Sequence, residues 1–423
     1  MRVLTRCRPL LWSSEKDAAA PRATGKVKKG PTGRYACQSL MTAYTRNRLA
    51  CAYFFALPGM AYGLFAGRLP ALQAQIHATE SDIGLILFCF GIASFISLFF
   101  AAYLISRLGS ATVIVGGCLT LAVSLCLSGL TFRPWQLGVM WLFCGAGMSL
   151  ADAALNAQCM EMEKFYRARC LTLMHAAFNM GTMAGALGAA LFAFFNLSPL
   201  TNFFFLIGFY IVFLPRAVPH LLRPPETSGM QTARGTHFRM PLFIIVCGLC
   251  ALLAYVAEGS VADWGSIFLH SSRGASQSVA ALLYAFYSAC TILCRLRGDD
   301  LRERWGDYPV ALLGGVIAFV GLALALGTQS LTLCFLGYGL MALGLSPIAP
   351  IMFSVAGSCS NVSPGAASAT VSLLAYTGLF LFPPCLGFAA ETYGLSNALY
   401  LVLAGCMVLV AFIFILKTLS PKI

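Results

Sequence analysis

The chain contains twelve apolar stretches, each close to the roughly 20 residues that a helix needs to cross about 30 Å of hydrocarbon. They run over 49–68, 83–106, 112–131, 135–158, 171–195, 202–218, 241–261, 278–296, 308–326, 331–355, 367–389 and 397–416. Lipid offers no hydrogen bonds to a bare peptide group, so runs of this length must satisfy their own backbone as helices. The expectation is an all-α polytopic membrane protein with twelve transmembrane helices. A soluble fold is excluded on composition as well: 59% of residues are apolar and only 10% charged, too little polar material to cover a water-facing surface.

A formal net charge of +13 would suit a nucleic-acid binder, but the basic residues follow the loops. With the N-terminus in the cytoplasm, all of the 28 Lys and Arg fall on the inner side except Arg68, Arg133 and Arg273. The positive-inside rule therefore predicts two cytoplasmic termini and an even number of spans. No nucleic-acid partner is expected; the bilayer is the partner that this pattern describes.

Two short loops divide the chain. AAYLISRLGSA joins spans two and three, CRLRGDDLRERWGD joins spans eight and nine, and each carries Arg-x-Gly, at Arg107 and Gly109 and at Arg304 and Gly306. This recurrence predicts two six-helix halves, 46–219 and 241–418, joined by a polar cytoplasmic linker over 220–240. Residues 1–45 are basic, acid-poor and without apolar periodicity, and read as a disordered tail. Such a tail suits anionic lipid or a transit peptide, while Met41 offers an alternative start just ahead of the first span.

The fourth span breaks the rule that membrane helices are apolar. Within WQLGVMWLFCGAGMSLADAALNAQ, Gly145, Ser149, Asp152 and Asn156 follow at steps of four, three and four and so share one narrow face. A carboxylate near the bilayer centre costs about 2.5 to 3.5 kcal/mol on insertion scales, which makes Asp152 a functional candidate by default. The competing reading is helix packing, with Gly and Ser allowing close approach and Asn bonding across.

Other polar residues join it. The fifth span carries His175 and Asn179 one turn apart, then Gly181, Gly185 and Gly188 as a helix contact of the small-xxx-small type. At the depth expected for Asp152, His175 is a candidate proton partner, or else a hydrogen-bonded packing residue. The seventh span holds a second intramembrane acid, Glu258, followed by Asp263 and Trp264, which read as a solvated acid and a belt residue at the outer interface. Arg68, at the outer end of the first span, is either an anion-binding or gating cation or a side chain snorkelling to the surface. Tyr62, Tyr255, Trp264 and Tyr376 are candidates for stacking on a ligand. Pro58-Gly59 predicts a kink in the first span, and Ser346-Pro347, Pro350 and Pro383-Pro384 predict interruptions in spans ten and eleven. The 17 cysteines lie almost all singly inside apolar spans, so neither a metal nor a structural disulfide is expected.

Together these features resemble the major facilitator superfamily over nearly the whole chain after Met41. Arg107-x-Gly109 and Glu303-Arg304-x-Gly306 are similar to its G-x-x-x-D-R-x-G loop; the first copy has Ser106 in place of the acid, and the second keeps an acid beside its Arg. The Asp152 and Asn156 pair, Leu173-Met174-His175 leading to Gly181-Thr182, Ala257-Glu258-Gly259-Ser260 with Asp263-Trp264, and Pro383-Pro384-x-x-Gly387 resemble the fucose/galactose/glucose proton symporters and the YbjJ-like bacterial inner-membrane proteins. The resemblance implies a monomeric, cofactor-free, proton-coupled carrier of a small solute in a bacterial inner membrane. Asp152, Asn156, His175, Asn179 and Glu258 would then face its cavity. Two departures qualify it: Gly63 stands where the sugar symporters carry a first-helix acid, and the Gly-Pro pair of drug antiporters is absent from span five.

The sequence offers no phosphate-cradling GxxxxGK[ST], no nucleophile-base set in a loop and loops too short for a catalytic domain. The leading reading is thus a secondary transporter; an exporter and a non-transporting receptor of the same fold are the alternatives.

Overall fold

The computed structural model describes residues 32–166, 170–222, 241–359, 362 and 364–419. Twelve spans among them are long and apolar enough to cross a membrane, at the twelve expected places. The first nine are α1 (Thr32–Ile76), α2 (Glu80–Leu108), α3 (Ser110–Ser128), α4 (Pro134–Tyr166), α5 (Leu171–Phe194), α6 (Pro199–Ala217), α7 (Leu242–Ile267), α8 (Gln277–Trp305) and α9 (Asp307–Gly327). The tenth is split into α10 (Leu331–Leu345) and α11 (Ile348–Gly357) at Ser346-Pro347, the eleventh is α12 (Pro364–Tyr393), and the last joins α13 (Leu395–Ala398) to α14 (Tyr400–Leu419).

An even number of spans brings the first helix, the linker region and the last helix to one face, here called the terminal face; the opposite one is the far face. The first helix begins at Thr32, so the tail boundary expected at 45 falls inside it, while residues 1–31 lie outside the described chain. No proline follows Pro31 until Pro58, which lets α1 extend towards the terminal face well ahead of its apolar part. Most of the expected linker, 223–240, also lies outside the described residues.

The halves are held internally by backbone contact. On α1, Gly59 and Gly63 face the carbonyls of Phe178 and Thr182, while on α5 Gly181 and Gly185 face those of Ala56 and Met60. Any Cβ at these four places would meet the opposing backbone, so two glycine pairs let α1 and α5 close to a spacing that no other residue permits. Gly188 does not belong to this contact; its nearest neighbour is a Leu64 methyl at 3.7 Å.

The same joint ends the second span of each half. Gly109 (φ 80, ψ 149) caps α2 and Gly306 (φ 84, ψ 163) caps α8, each donating its N–H to the carbonyl four residues back, on Ile105 and Arg302. Positive φ explains the glycine in both loops and supports the internal repeat read from Arg-x-Gly.

The halves meet at the far face. Gly84 on α2 abuts the backbone of Pro383 and Pro384 on α12, Gly91 abuts Phe380, and Gly67 on α1 lies against Ala281 on α8. Ser266 on α7 donates to the Ala66 carbonyl at 2.6 Å, and the Ser81 N–H donates to Glu391 at 3.2 Å. Buried apolar residues form two clusters: a large one runs through the C-terminal half into the far side of the other, and a smaller one, from Ala50 to Leu221, belongs to the terminal side of the N-terminal half alone. Among the described residues, therefore, no buried apolar cluster spans both halves on the terminal side, and the region between them there is here called the cleft. Pro383-Pro384 serves the far-side contact rather than a break, because α12 runs through it without interruption.

Candidate functional site

The face of α4 that carries Asp152 divides along its length. Towards the far side Gly145 lies against the Phe90 carbonyl of α2, and Ser94 donates to the Gly145 carbonyl at 2.9 Å, so this part is packing. Towards the terminal side Asp152 and Asn156 are half-buried and border the cleft. Asn156 donates its side-chain amide to the Asp152 backbone carbonyl at 2.9 Å, one turn back along α4. From the other half, Tyr255 on α7 and Tyr376 on α12 lie within electrostatic reach of Asp152, their ring centroids 6.3 Å apart.

His175 is exposed, with its ring centroid 5.6 Å from that of Phe55. No hydrogen bond or ion pair joins it to Asp152; the charged residue within its reach is Arg295 of α8. The expected pair is therefore not formed, since α4 and α5 touch only slightly while α5 runs along α8. Asn179, a turn further along α5, is half-buried and bonds to none of the group.

Deeper in, α7 and α8 supply a second group. Glu258 is half-buried and within electrostatic reach of Tyr62, Tyr255, Tyr284 and Tyr287. Tyr62 meets Tyr284 edge to face at 5.9 Å, and Tyr284 and Tyr287 lie nearly parallel at 6.2 Å. Asp263 belongs here too, within reach of Tyr62 and Tyr284. Its expected place at the outer interface is corrected: it is only 9% exposed and Trp264 only 1%. The span continues to Ser272, roughly 14 Å along the axis beyond Asp263, so the interface lies further out than the apolar run suggests.

Three sequence candidates fall elsewhere. Arg68 neither snorkels nor enters the cleft: it is 2% exposed and donates to the Leu197 carbonyl just past the end of α5. Arg273, over the Phe268 ring at 4.4 Å, likewise donates to the Leu326 carbonyl in the last turn of α9 at 2.8 Å. Both cations sit at the negative ends of helices, which accounts for two of the three exceptions to the charge rule. Gly63 faces α5, so an acid there would enter a helix contact instead of the cleft.

The loop signatures also differ from expectation. Glu303 and Arg304 are exposed neighbours that cannot face each other on one helix; among the described residues of this loop an ion pair joins Arg302 Nε to Asp307 at 2.7 Å. Arg107 is exposed and stacks over Tyr103 at 5.7 Å. Two cysteines expected to stand singly are brought together: Cys159 and Cys170 have their sulfurs 3.2 Å apart, beside Glu163. The Glu163 carboxylate accepts from the N–H groups of Cys170 and Leu171, which anchors the start of α5.

Sequence reading missed Arg295, Tyr284 and Tyr287. Their signal was available, since Tyr284, Tyr287, Thr291 and Arg295 follow at steps of three, four and four on one face of α8. Arg295 was hidden among Arg297, Arg302 and Arg304 as the basic end of a span.

Two six-helix bundles, joined at one face and with polar side chains between them, define a membrane carrier. The chain belongs to the Major Facilitator Superfamily: the family profile matches residues 49–358. It is 30% identical over 359 residues to an MFS-type transporter of Yersinia pestis, spanning 85% of this chain and 91% of that one. A transporter of Sinorhizobium fredii is also 30% identical over 359 residues (82% and 92%), and the membrane protein MosC of Rhizobium meliloti is 24% identical over 371 residues (86% and 89%). Among solved structures, an aspartate-to-alanine mutant of the nucleoside transporter NupG superposes with a TM-score of 0.73 at 15% identity, over 88% of this chain and 99% of that one. A bacterial homologue of the lysosomal transporter Spinster, inward-facing and unoccupied, gives 0.68 at 14% identity, over 89% and 98%. Relatives and fold are those of transporters, not enzymes.

Proposed function

We propose that the chain carries a small polar solute by alternating access, coupled to protons through Asp152. The observation that carries this reading is an acid in the middle of a membrane span, bordering the cleft and facing Tyr255 and Tyr376 of the opposite half. A carboxyl in that place can be neutralised by a proton or by the solute, and the two events are coupled because they share one group. The halves rock about the far-side contact, with Asp152, Asn156, His175 and Glu258 exposed to each face in turn. The chain works as a monomer in a bacterial inner membrane, its terminal face in the cytoplasm, as the basic residues favour. Similarity to sugar symporters favours a sugar or related metabolite; NupG shares the fold at an identity too low to carry its nucleosides over. An exporter uses the same architecture, and the direction follows from the gradient imposed.

The test is proton movement. Purified protein in liposomes with a pH-sensitive dye inside should give solute-dependent proton flux with at least one member of a panel of sugars, polyols, nucleosides and amines. Binding without flux for every member would return the chain to the receptor alternative.

A further inference from the structure

The deeper group on α7 and α8 holds more acidic side chains than the cations around it can pair. Glu258 and Asp263 lie five residues apart on α7, about 1.4 turns, and both are within electrostatic reach of Tyr62 and Tyr284. Among the described residues the cation within reach of this group is Arg295, which also lies within reach of Tyr255 and His175 towards the Asp152 side. One arginine thus stands against three acids. Asp263 is nine-tenths buried, and among the described residues no hydrogen bond or ion pair engages its carboxyl, that of the half-buried Glu258, or the hydroxyls of Tyr62, Tyr255, Tyr284 and Tyr287. A buried carboxylate persists only when paired or neutralised.

The aromatic walls say what would pair it. Four tyrosines from α1, α7 and α8 lie within electrostatic reach of Glu258, and Tyr62 and Tyr284 also of Asp263, with ring contacts of 5.9 Å between Tyr62 and Tyr284 and 6.2 Å between Tyr284 and Tyr287. Tyrosine faces attract a cation within about 6 Å of their centroid, most strongly where water is excluded. A neutral polyol would find hydroxyl partners here, yet both acids would then have to stay protonated. An anion would be repelled by them.

We propose that Glu258 and Asp263, walled by Tyr62, Tyr255, Tyr284 and Tyr287, form the binding site for a small organic cation, a protonated amine or quaternary ammonium. The inference rests on the carrier reading above and names its solute class. The ammonium sits between the two carboxylates, its apolar substituents lie against the rings, and the tyrosine hydroxyls take up hydroxyl groups of the ligand.

The experiment holds shape constant and changes charge. Equilibrium binding to the purified full chain is measured for choline against its uncharged isostere 3,3-dimethylbutanol, and for glucosamine against glucose. At least one cation should bind about tenfold or more tightly than its neutral partner. Glu258→Gln and Asp263→Asn, which keep size and remove charge, should each abolish that preference. Equal binding within both pairs, tighter binding of the neutral partners, no binding of either cation, or an unchanged preference in both variants overturns the proposal. Should a variant fail to fold, the wild-type comparison decides alone. Selective cation binding without proton flux would sink the carrier reading and leave this site standing. Proton flux with neutral solutes alone would do the reverse.

Discussion

Ser266 on α7 donates its hydroxyl to the carbonyl of Ala66 on α1 at 2.6 Å, a bond between residues 200 apart that ties one half of the molecule to the other. Ser266 is 3% exposed, so the bond is shielded from water and forms only while the far face is closed. A buried hydrogen bond contributes about 0.5 to 1.5 kcal/mol, a factor of roughly 2 to 10 in a conformational equilibrium. Ser266→Ala should therefore raise the far-side-open population by that factor. Spin-label distances across the far face measure it; a distribution identical to wild type would remove Ser266 from the gate.

The glycine contact between α1 and α5 makes a sharper structural prediction. A Cβ at Gly63 would collide with the Thr182 carbonyl, which as backbone cannot turn aside, whereas one at Gly188 would meet nothing nearer than a methyl at 3.7 Å. Gly63→Ala should cost about 1 to 3 kcal/mol and lower the melting temperature in detergent, while Gly188→Ala should be neutral or slightly stabilising. Equal effects at the two positions would refute the packing described.

In the loop between α8 and α9, Asp307 and not Glu303 is the acid seen paired with an arginine among the described residues. Its bond to Arg302 is partly exposed, with side chains 32% and 23% accessible, so it is worth no more than about 1 kcal/mol. Asp307→Asn should lower stability by up to that amount, and Glu303→Gln, on an exposed side chain, should leave the melting temperature unchanged. The opposite order would restore the acid-Arg reading of Glu303 and Arg304.

Much of this architecture was legible because its signals are local. Span length and loop charge each lie within a few tens of residues, and the Asp152 face repeats at helical steps on one helix. The site was less legible because its members meet across the two halves. Nothing near Asp152 in sequence points to Tyr376, and His175 looked like its partner only because their expected depths agreed. Asp263 was misread for a simpler reason: the apolar run thins out after Val261, although the helix and its burial continue through Ile267. Arg295 was lost in the basic cluster that follows it.

The two thiols at the terminal side allow a chemical test of the α4 to α5 junction. With sulfurs 3.2 Å apart, Cys159 and Cys170 should crosslink under mild oxidation by diamide, each thiol giving up its proton and the reagent taking two electrons. Mass spectrometry of the digested protein should find the linked peptides, and dithiothreitol should release them. Most other cysteines lie singly in the spans, so Cys159→Ser should abolish the product. Failure to crosslink in the native protein would place the thiols further apart than this.

The last prediction concerns Asp152 itself. Asparagine at 152 has nearly the shape of a protonated aspartic acid but cannot lose the proton, and the Asn156 bond, which uses the Asp152 backbone carbonyl, does not depend on the side chain. Folding should therefore be preserved. A carrier whose coupling proton cannot leave is still able to exchange solute for solute, because exchange needs no change of protonation. Asp152→Asn should thus lower accumulation driven by an imposed pH gradient at least tenfold, while counterflow exchange in the same proteoliposomes stays within about threefold of wild type. Gradient-driven accumulation at the wild-type level would return Asp152 to a packing role. Loss of both activities in a folded protein would assign it to the solute instead of the proton.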